Sequence, residues 1–157
     1  MSPNSRLNVQ KKQKEHYSGK KKRHTQKAQV IVNRQSKAIL ATAFAKGKTH
    51  DFQLFKASRS ALCKSICGLA DAGYQGLAKL HGNSQTPVKK SKHHPLTAAQ
   101  KASNRALSHE RIAVEHVIRA LKIFRILSER YRNRRKRFGL RFNLIAAIYN
   151  SELEKPG

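Results

Sequence analysis

The chain has 157 residues, the size of one ordinary domain, and is extremely basic: 34 Lys and Arg stand against 8 Asp and Glu, a formal net charge of +26, with 38% hydrophobic residues. Such an excess repels itself unless a polyanion offsets it, which points to nucleic acid and says nothing of catalysis, since ribosomal and histone-like proteins share it. No apolar run approaches the roughly 20 residues that cross a bilayer, and the lysine-rich start has no signal-peptide core, so the expectation is a cytoplasmic protein with no membrane partner.

Residues 1–16 are polar and basic with almost no apolar content, and are expected to form a flexible lead-in. Order is expected from Tyr17. The stretch from Arg23 to Asn33 ends in the β-branched run Val30, Ile31, Val32, and a second run, Ala38 to Ala45, follows the polar break Arg34-Gln35-Ser36, so the two read as a hairpin. Phe52, Leu54 and Phe55 then allow a short helix that Thr49 or Asp51 can cap. Cys63 and Cys67 lie four apart in an apolar stretch, which reads as two buried thiols on one helix face rather than a zinc pair, and His81, His93 and His94 have no partner cysteines.

Ile66 to Ala70 is an apolar run ending at Asp71, followed at once by Gly73, Tyr74 and Gly76; this is the pattern of a buried strand delivering an aspartate at its carboxyl end. Leu77 to Leu80 reads as a short helix and Thr86-Pro87-Val88 as an edge strand. Thr97 opens a helix, and from there to about Leu127 no Gly or Pro occurs while Leu107, Val114, Ile118 and Leu121 recur at helical spacing, which predicts one long amphipathic helix. A second is predicted from about Arg137 to Leu153, with Leu140, Leu144, Ile145 and Ile148 on its apolar side. Between them, Arg130 to Arg137 holds six Arg or Lys in eight positions.

On a continuous helix Arg111, Glu115 and Lys122 fall within an arc of roughly 40° beside the apolar stripe. The spacing of Arg111 and Glu115 admits an intrahelical ion pair. It also admits chemistry, because phosphoryl transfer with a divalent metal needs hard oxygen ligands, at least two carboxylates brought from different elements. Asp71 at a strand end and Glu115 on a helix form such a pair, and acids are scarce in this chain. Asp51 reads as a helix cap or an auxiliary ligand, and Glu110 as the partner of Arg105 or Lys101 or a substitute for Glu115.

Five strings carry a resemblance: Tyr17-Ser18-Gly19-Lys20-Lys21-Lys22-Arg23-His24-Thr25, His50-Asp51-Phe52, Ala70-Asp71-Ala72-Gly73-Tyr74-Gln75-Gly76, Val114-Glu115-His116-Val117-Ile118 and Arg137-Phe138-Gly139-Leu140-Arg141-Phe142-Asn143-Leu144-Ile145. In order and spacing, from about Lys11 to Leu153, the sequence resembles the catalytic half of bacterial DDE transposases of the insertion-sequence five group. The resemblance implies an α/β fold of ribonuclease H type, a mixed sheet with flanking helices, in which three acids gather divalent Mg²⁺ or Mn²⁺. It implies that Asp71 is the second acid and Glu115 the third, with Arg111 and Lys122 completing the signature around Glu115 and orienting phosphates; the signature's Tyr position is Ser108 here.

In that family the first acid precedes the Tyr-Ser-Gly-Lys segment, and residues 1–14 hold no Asp or Glu. The resemblance therefore implies a partial catalytic domain over 17–153, incomplete at its amino-terminal side and inactive alone: either a downstream frame joined to an upstream-frame polypeptide that supplies the missing Asp, or a decayed remnant. It further implies insertion-sequence ends and target DNA as partners, a synaptic oligomer, and association with the bacterial nucleoid. Lys20, Lys21, Lys22 and Arg23, with Arg130, Arg132, Arg134, Arg135, Lys136 and Arg137 around Tyr131 and Phe138, are the expected phosphate contacts; a solvated helix end is the plainer reading of the second run. The rival to a metal-dependent nuclease is a non-catalytic nucleic-acid-binding protein of ribosomal or nucleoid type.

Overall fold

The computed structural model describes residues 17–18, 23–91, 95–129 and 135–155. The lead-in 1–16 falls outside them. The chain is a mixed α/β protein whose described strands form three two-stranded sheets. Strand β1 (Tyr17–Ser18) pairs antiparallel with β2 (Arg23–His24), and β3 (Gln26–Val32) with β4 (Ile39–Lys46). The second pair is the expected hairpin. Asn33 sets its turn: the side-chain oxygen accepts from the backbone N–H groups of Gln35 and Ser36, an Asx arrangement that spares the turn unpaired donors.

Helix α1 (Asp51–Ser58) follows, but neither expected cap holds it: His50 is the N-cap residue and makes no side-chain cap bond. The run read as a strand from Ile66 to Ala70 narrows to β5 (Gly68–Leu69), which pairs in parallel with β6 (Ser84–Gln85). Its beginning is diverted into a turn closed by the Ile66 N–H on the Cys63 carbonyl, and both cysteines are exposed there rather than buried on a helix. The edge strand expected at Thr86-Pro87-Val88 forms two residues earlier, since Pro87 has no N–H to give a ladder. Val88 is bound instead by Asn104, whose amide group donates to the Val88 carbonyl and accepts from its N–H, both at 2.9 Å. Helix α2 (Leu77–Leu80) lies where the sequence placed it.

Thr97 opens α3 (Ala98–Glu110) with a complete capping box: its hydroxyl accepts from the Gln100 N–H, and the Gln100 side chain accepts from the Thr97 N–H. The single long helix is in fact three, α3, α4 (Ile112–Ile123) and α5 (Arg125–Ser128). At the first joint the Arg111 N–H is shared between the Leu107 and Ser108 carbonyls, a local tightening of the ladder. At the second, Phe124 is extended (φ −71°, ψ 109°). No Gly or Pro marks either break.

The core lies between the hairpin and the last helices. Val117 and Leu121 of α4, Ile39 of β4, and Phe138, Phe142, Ile145 and Ala146 of α6 (Phe138–Leu153) form one buried cluster. The buried side of α4 keeps Leu121 of the expected stripe but takes Val117 in place of Ile118, which is exposed. On α6, Ile145 of the expected side is buried, but Leu140, Leu144 and Ile148 point to solvent and the aromatic side packs. Phe44 decides this, meeting Phe138 and Phe142 at centroid distances of 5.7 and 5.3 Å in edge-to-face geometry. The approach is close, because a Cβ on Gly139 would stand 2.9 Å from the Phe44 ring. Polar clamps reinforce it: the Asn150 amide accepts from the Ile39 N–H and donates to its carbonyl, both at 2.9 Å, and the Thr42 hydroxyl donates to Asn143.

Phe142→Ala should lower stability by about 3–5 kcal/mol, read as a shift in the denaturant midpoint. A loss near that of a surface substitution would show that the hairpin and α6 do not share this core.

Candidate active site

Asp71 sits two residues beyond β5, where the chain leaves the small parallel sheet. The Gly68 N–H donates to the Asn83 carbonyl and the Ala70 N–H to the Gln85 carbonyl, which fixes the direction in which the chain exits. The buried His81 ring braces the approach through its Nε2 contact with the Ile66 carbonyl at 2.7 Å, so this histidine is structural. Asp71 is the N-cap of a single 3₁₀ turn, Ala72–Tyr74, and its Oδ1 accepts from the Ala72 N–H at 2.6 Å. The Arg111 Nη1 stands 3.2 Å from the same Oδ1, with Asp71 65% exposed and Arg111 21%. The joint between α3 and α4 thus delivers a guanidinium to the carboxylate.

Asp51 approaches the turn from the other side. It begins α1, its Oδ1 lies 2.9 Å from Lys27 Nζ of β3, and Lys27 also donates to the Thr49 carbonyl. Its Oδ2 lies so close to Gly73 that a Cβ there would stand 2.4 Å away, so only glycine fits in this turn as it stands. Between the two acids is Tyr74. Its hydroxyl donates to the buried Gln29 side chain, its ring meets Phe55 edge-on, and its pKa is pushed up to about 12 by burial first and then by the charges of Asp51 and Asp71.

Glu115 lies one turn into α4, exposed, two residues from the fully buried Val117. Among the described residues Arg111 pairs with Asp71 and not with Glu115, so the intrahelical ion pair does not form. Lys122 is exposed further along the helix. Glu110 pairs with Arg34 in the hairpin turn rather than with Arg105 or Lys101, and so ties α3 to the hairpin. Among the described residues no three His, Cys, Asp or Glu side chains gather as a metal group. Lys20, Lys21, Lys22, Arg130, Arg132 and Arg134 lie outside the described residues; Arg23 is in β2, and Arg135, Lys136 and Arg137 form a 3₁₀ turn leading into α6.

Sequence reasoning missed Lys27 and Gln29 as the partners of Asp51 and Tyr74. The available signal was polar residues at alternate positions of a strand, which marks one face but not what it meets. Among the described residues no helix is long and apolar enough to cross a membrane.

The described residues thus form a mixed α/β protein in which a carboxylate stands just beyond a short parallel strand with a helix-borne cation on it. Residues 3–150 match the DDE superfamily endonuclease family, and the chain belongs to that family. It is also 50% identical over 143 residues, 91% of its length, to the probable transposase for insertion sequence element IS702 of Microchaete diplosiphon, and spans 52% of that relative. No solved structure matches the chain.

The Tyr74 phenol holds its proton above the ordinary value of 10.0, to about 12. A folded pKa above the unfolded one favours folding fully below pH 10, and that contribution is lost as pH rises through 12. Tyr74→Phe should remove one late step from the alkaline tyrosinate absorbance curve. Loss of amplitude from the ordinary step near pH 10 instead would show that Tyr74 does not have the raised pKa that this setting gives it.

Proposed function

We propose that the chain is a catalytic segment of a transposase that cuts and joins DNA strands at insertion-sequence ends, with Asp71 and Glu115 as ligands of a divalent cation, Mg²⁺ or Mn²⁺. The observation that carries this reading is the meeting of Asp71 with Arg111, which brings together the two segments whose spacing matches the family's second and third acids. The donor chemistry fits: Asp71 and Glu115 offer only carboxylate oxygens, and Mg²⁺ is commonly held by one or two carboxylates together with substrate phosphate and water. When bound, such a cation activates the attacking oxygen and stabilises the leaving one.

The chain's own residues supply the rest. The Ala72 N–H fixes the Asp71 carboxyl group, and the half-buried Tyr74 and Asp51, the latter anchored by Lys27, hold the turn that carries it. Arg111 balances the Asp71 charge and presents its remaining N–H groups where a phosphodiester would approach. Lys122 and the exposed Lys136 and Arg137, with the basic runs at 20–23 and 130–135, contact the phosphate backbone without reading sequence. A further Asp would come from an upstream polypeptide, with assembly into a synaptic complex on nucleoid DNA in the bacterial cytoplasm. A ribosomal or nucleoid role has no support in the family to which the chain belongs.

Affinity for duplex DNA should fall steeply with salt, by roughly 10³- to 10⁵-fold between about 50 and 200 mM if about six to ten phosphates are neutralised. An affinity indifferent to salt would remove the phosphate contacts from the reading. For catalysis, labelled element-end DNA is incubated with Mg²⁺ or Mn²⁺ and the protein, with and without an upstream segment carrying the further Asp. Cleavage only in the complemented mixture, lost in Asp71→Asn and in Glu115→Gln, is the expected result. Cleavage by the unassisted chain, abolished by Glu115→Gln, would show that its site is complete. Cleavage in the complemented mixture indifferent to both substitutions would assign the metal to other residues.

A further inference from the structure

Helix α6 has two apolar sides, and the structure uses one. Phe138, Phe142, Ile145 and Ala146 are buried against the hairpin and α4. Leu140, Leu144 and Ile148, each four residues from the next, form a straight stripe on the other side and are 71%, 64% and 40% exposed. Three large aliphatic side chains aligned over about 12 Å of helix make a continuous apolar line on a chain that carries a net charge of +26.

The charges at the two ends of the stripe identify its occupant. Exposed Lys136 and Arg137 stand at the start of α6, while exposed Glu152 and Glu154, two of only 8 acids in the chain, stand at its end. Among the described residues neither of these glutamates forms an ion pair. The stripe is symmetric about Leu144, so it is self-complementary when two copies meet antiparallel: Leu144 faces its own copy, Leu140 faces Ile148, and the basic start of each helix lies beside the acidic end of the other. Antiparallel docking also opposes the two helix dipoles. A two-fold interface demands this self-complementarity.

We propose that the outer side of α6 is a homodimer interface, in which the Leu140–Leu144–Ile148 stripes of two copies pack antiparallel across a two-fold axis at Leu144. This inference rests on packing and charge and not on the assignment of the metal ligands. It gives the chain a way to bring two copies together with their hairpins on the outside of the joined helices. The patch is narrow, so the association is a weak one, strengthened by screening of the mutual repulsion between two cationic chains.

The test uses the full chain in three forms. In sedimentation equilibrium at high salt, the wild type should show a reversible dimer, and Leu144→Glu, which sets two carboxylates on the axis, should weaken it by more than about tenfold while leaving the far-ultraviolet circular dichroism unchanged. In a Cys63→Ser/Cys67→Ser background, Leu144→Cys should oxidise to a covalent dimer much faster than Gln53→Cys, an exposed control on α1. A mixture of Leu140→Cys and Ile148→Cys should cross-link to each other more readily than either does to itself, which fixes the antiparallel register. A wild type that stays monomeric at every concentration, or equal cross-linking at Leu144→Cys and Gln53→Cys, would overturn the proposal and assign the stripe to a different occupant.

Discussion

The contact on which the rest of the structure depends is the wedge of Phe44 between Phe138 and Phe142. It joins residues nearly a hundred positions apart, and it works because Gly139 lets the helix backbone come against the ring. Once the hairpin and α6 form one body, the remaining gap is filled by Val117 and Leu121, which fixes the rotation of α4 about its axis. That rotation, with the joint at Arg111, sends the guanidinium toward Asp71. The site is thus a consequence of hydrophobic packing on the far side of the hairpin.

Electrostatics at the site has a local character that the net charge conceals. Asp51 and Asp71, the two acids nearest Tyr74, each have a specific cation, Lys27 from β3 and Arg111 from the helix joint. Exposed or half-exposed ion pairs of this kind contribute about 0–1 kcal/mol to stability. Their effect is positional: each holds a carboxylate at a defined end of a defined element. The half-buried phenol between them keeps its proton far into the alkaline range, so the turn carrying Asp71 is held by a neutral group throughout the neutral range of pH.

The two sides of α6 illustrate how a chain can present more apolar surface than one core needs. Aromatic residues bury more area than aliphatic ones and gain further from edge-to-face contacts. Given Phe44 as a partner, the Phe138–Phe142 side wins the core and the leucine side is left outside. Periodicity alone ranks the two sides equally.

Much of this protein was legible in the amino-acid sequence because it depends on neighbours along the chain. The hairpin followed from two runs on either side of the polar break Arg34-Gln35-Ser36, the start of α3 from Thr97, and α2 from its short apolar run. The family, with Asp71 and Glu115 as its candidate acids, followed from ordered strings of residues. What tertiary structure decided was everything that needs a distant partner. The breaks at Arg111 and Phe124 occur without Gly or Pro; the buried sides of α4 and α6 are chosen by Phe44 and Ile39; β5 is shorter than its apolar run and β6 forms two residues before the place local pattern gave it; and Lys27, Gln29 and Asp51 meet the Tyr74 turn from elements far apart in sequence. Helical and strand periods say which residues share a face. Which face is buried depends on the shape of the surface that comes to meet it, and that surface exists only once the chain has folded.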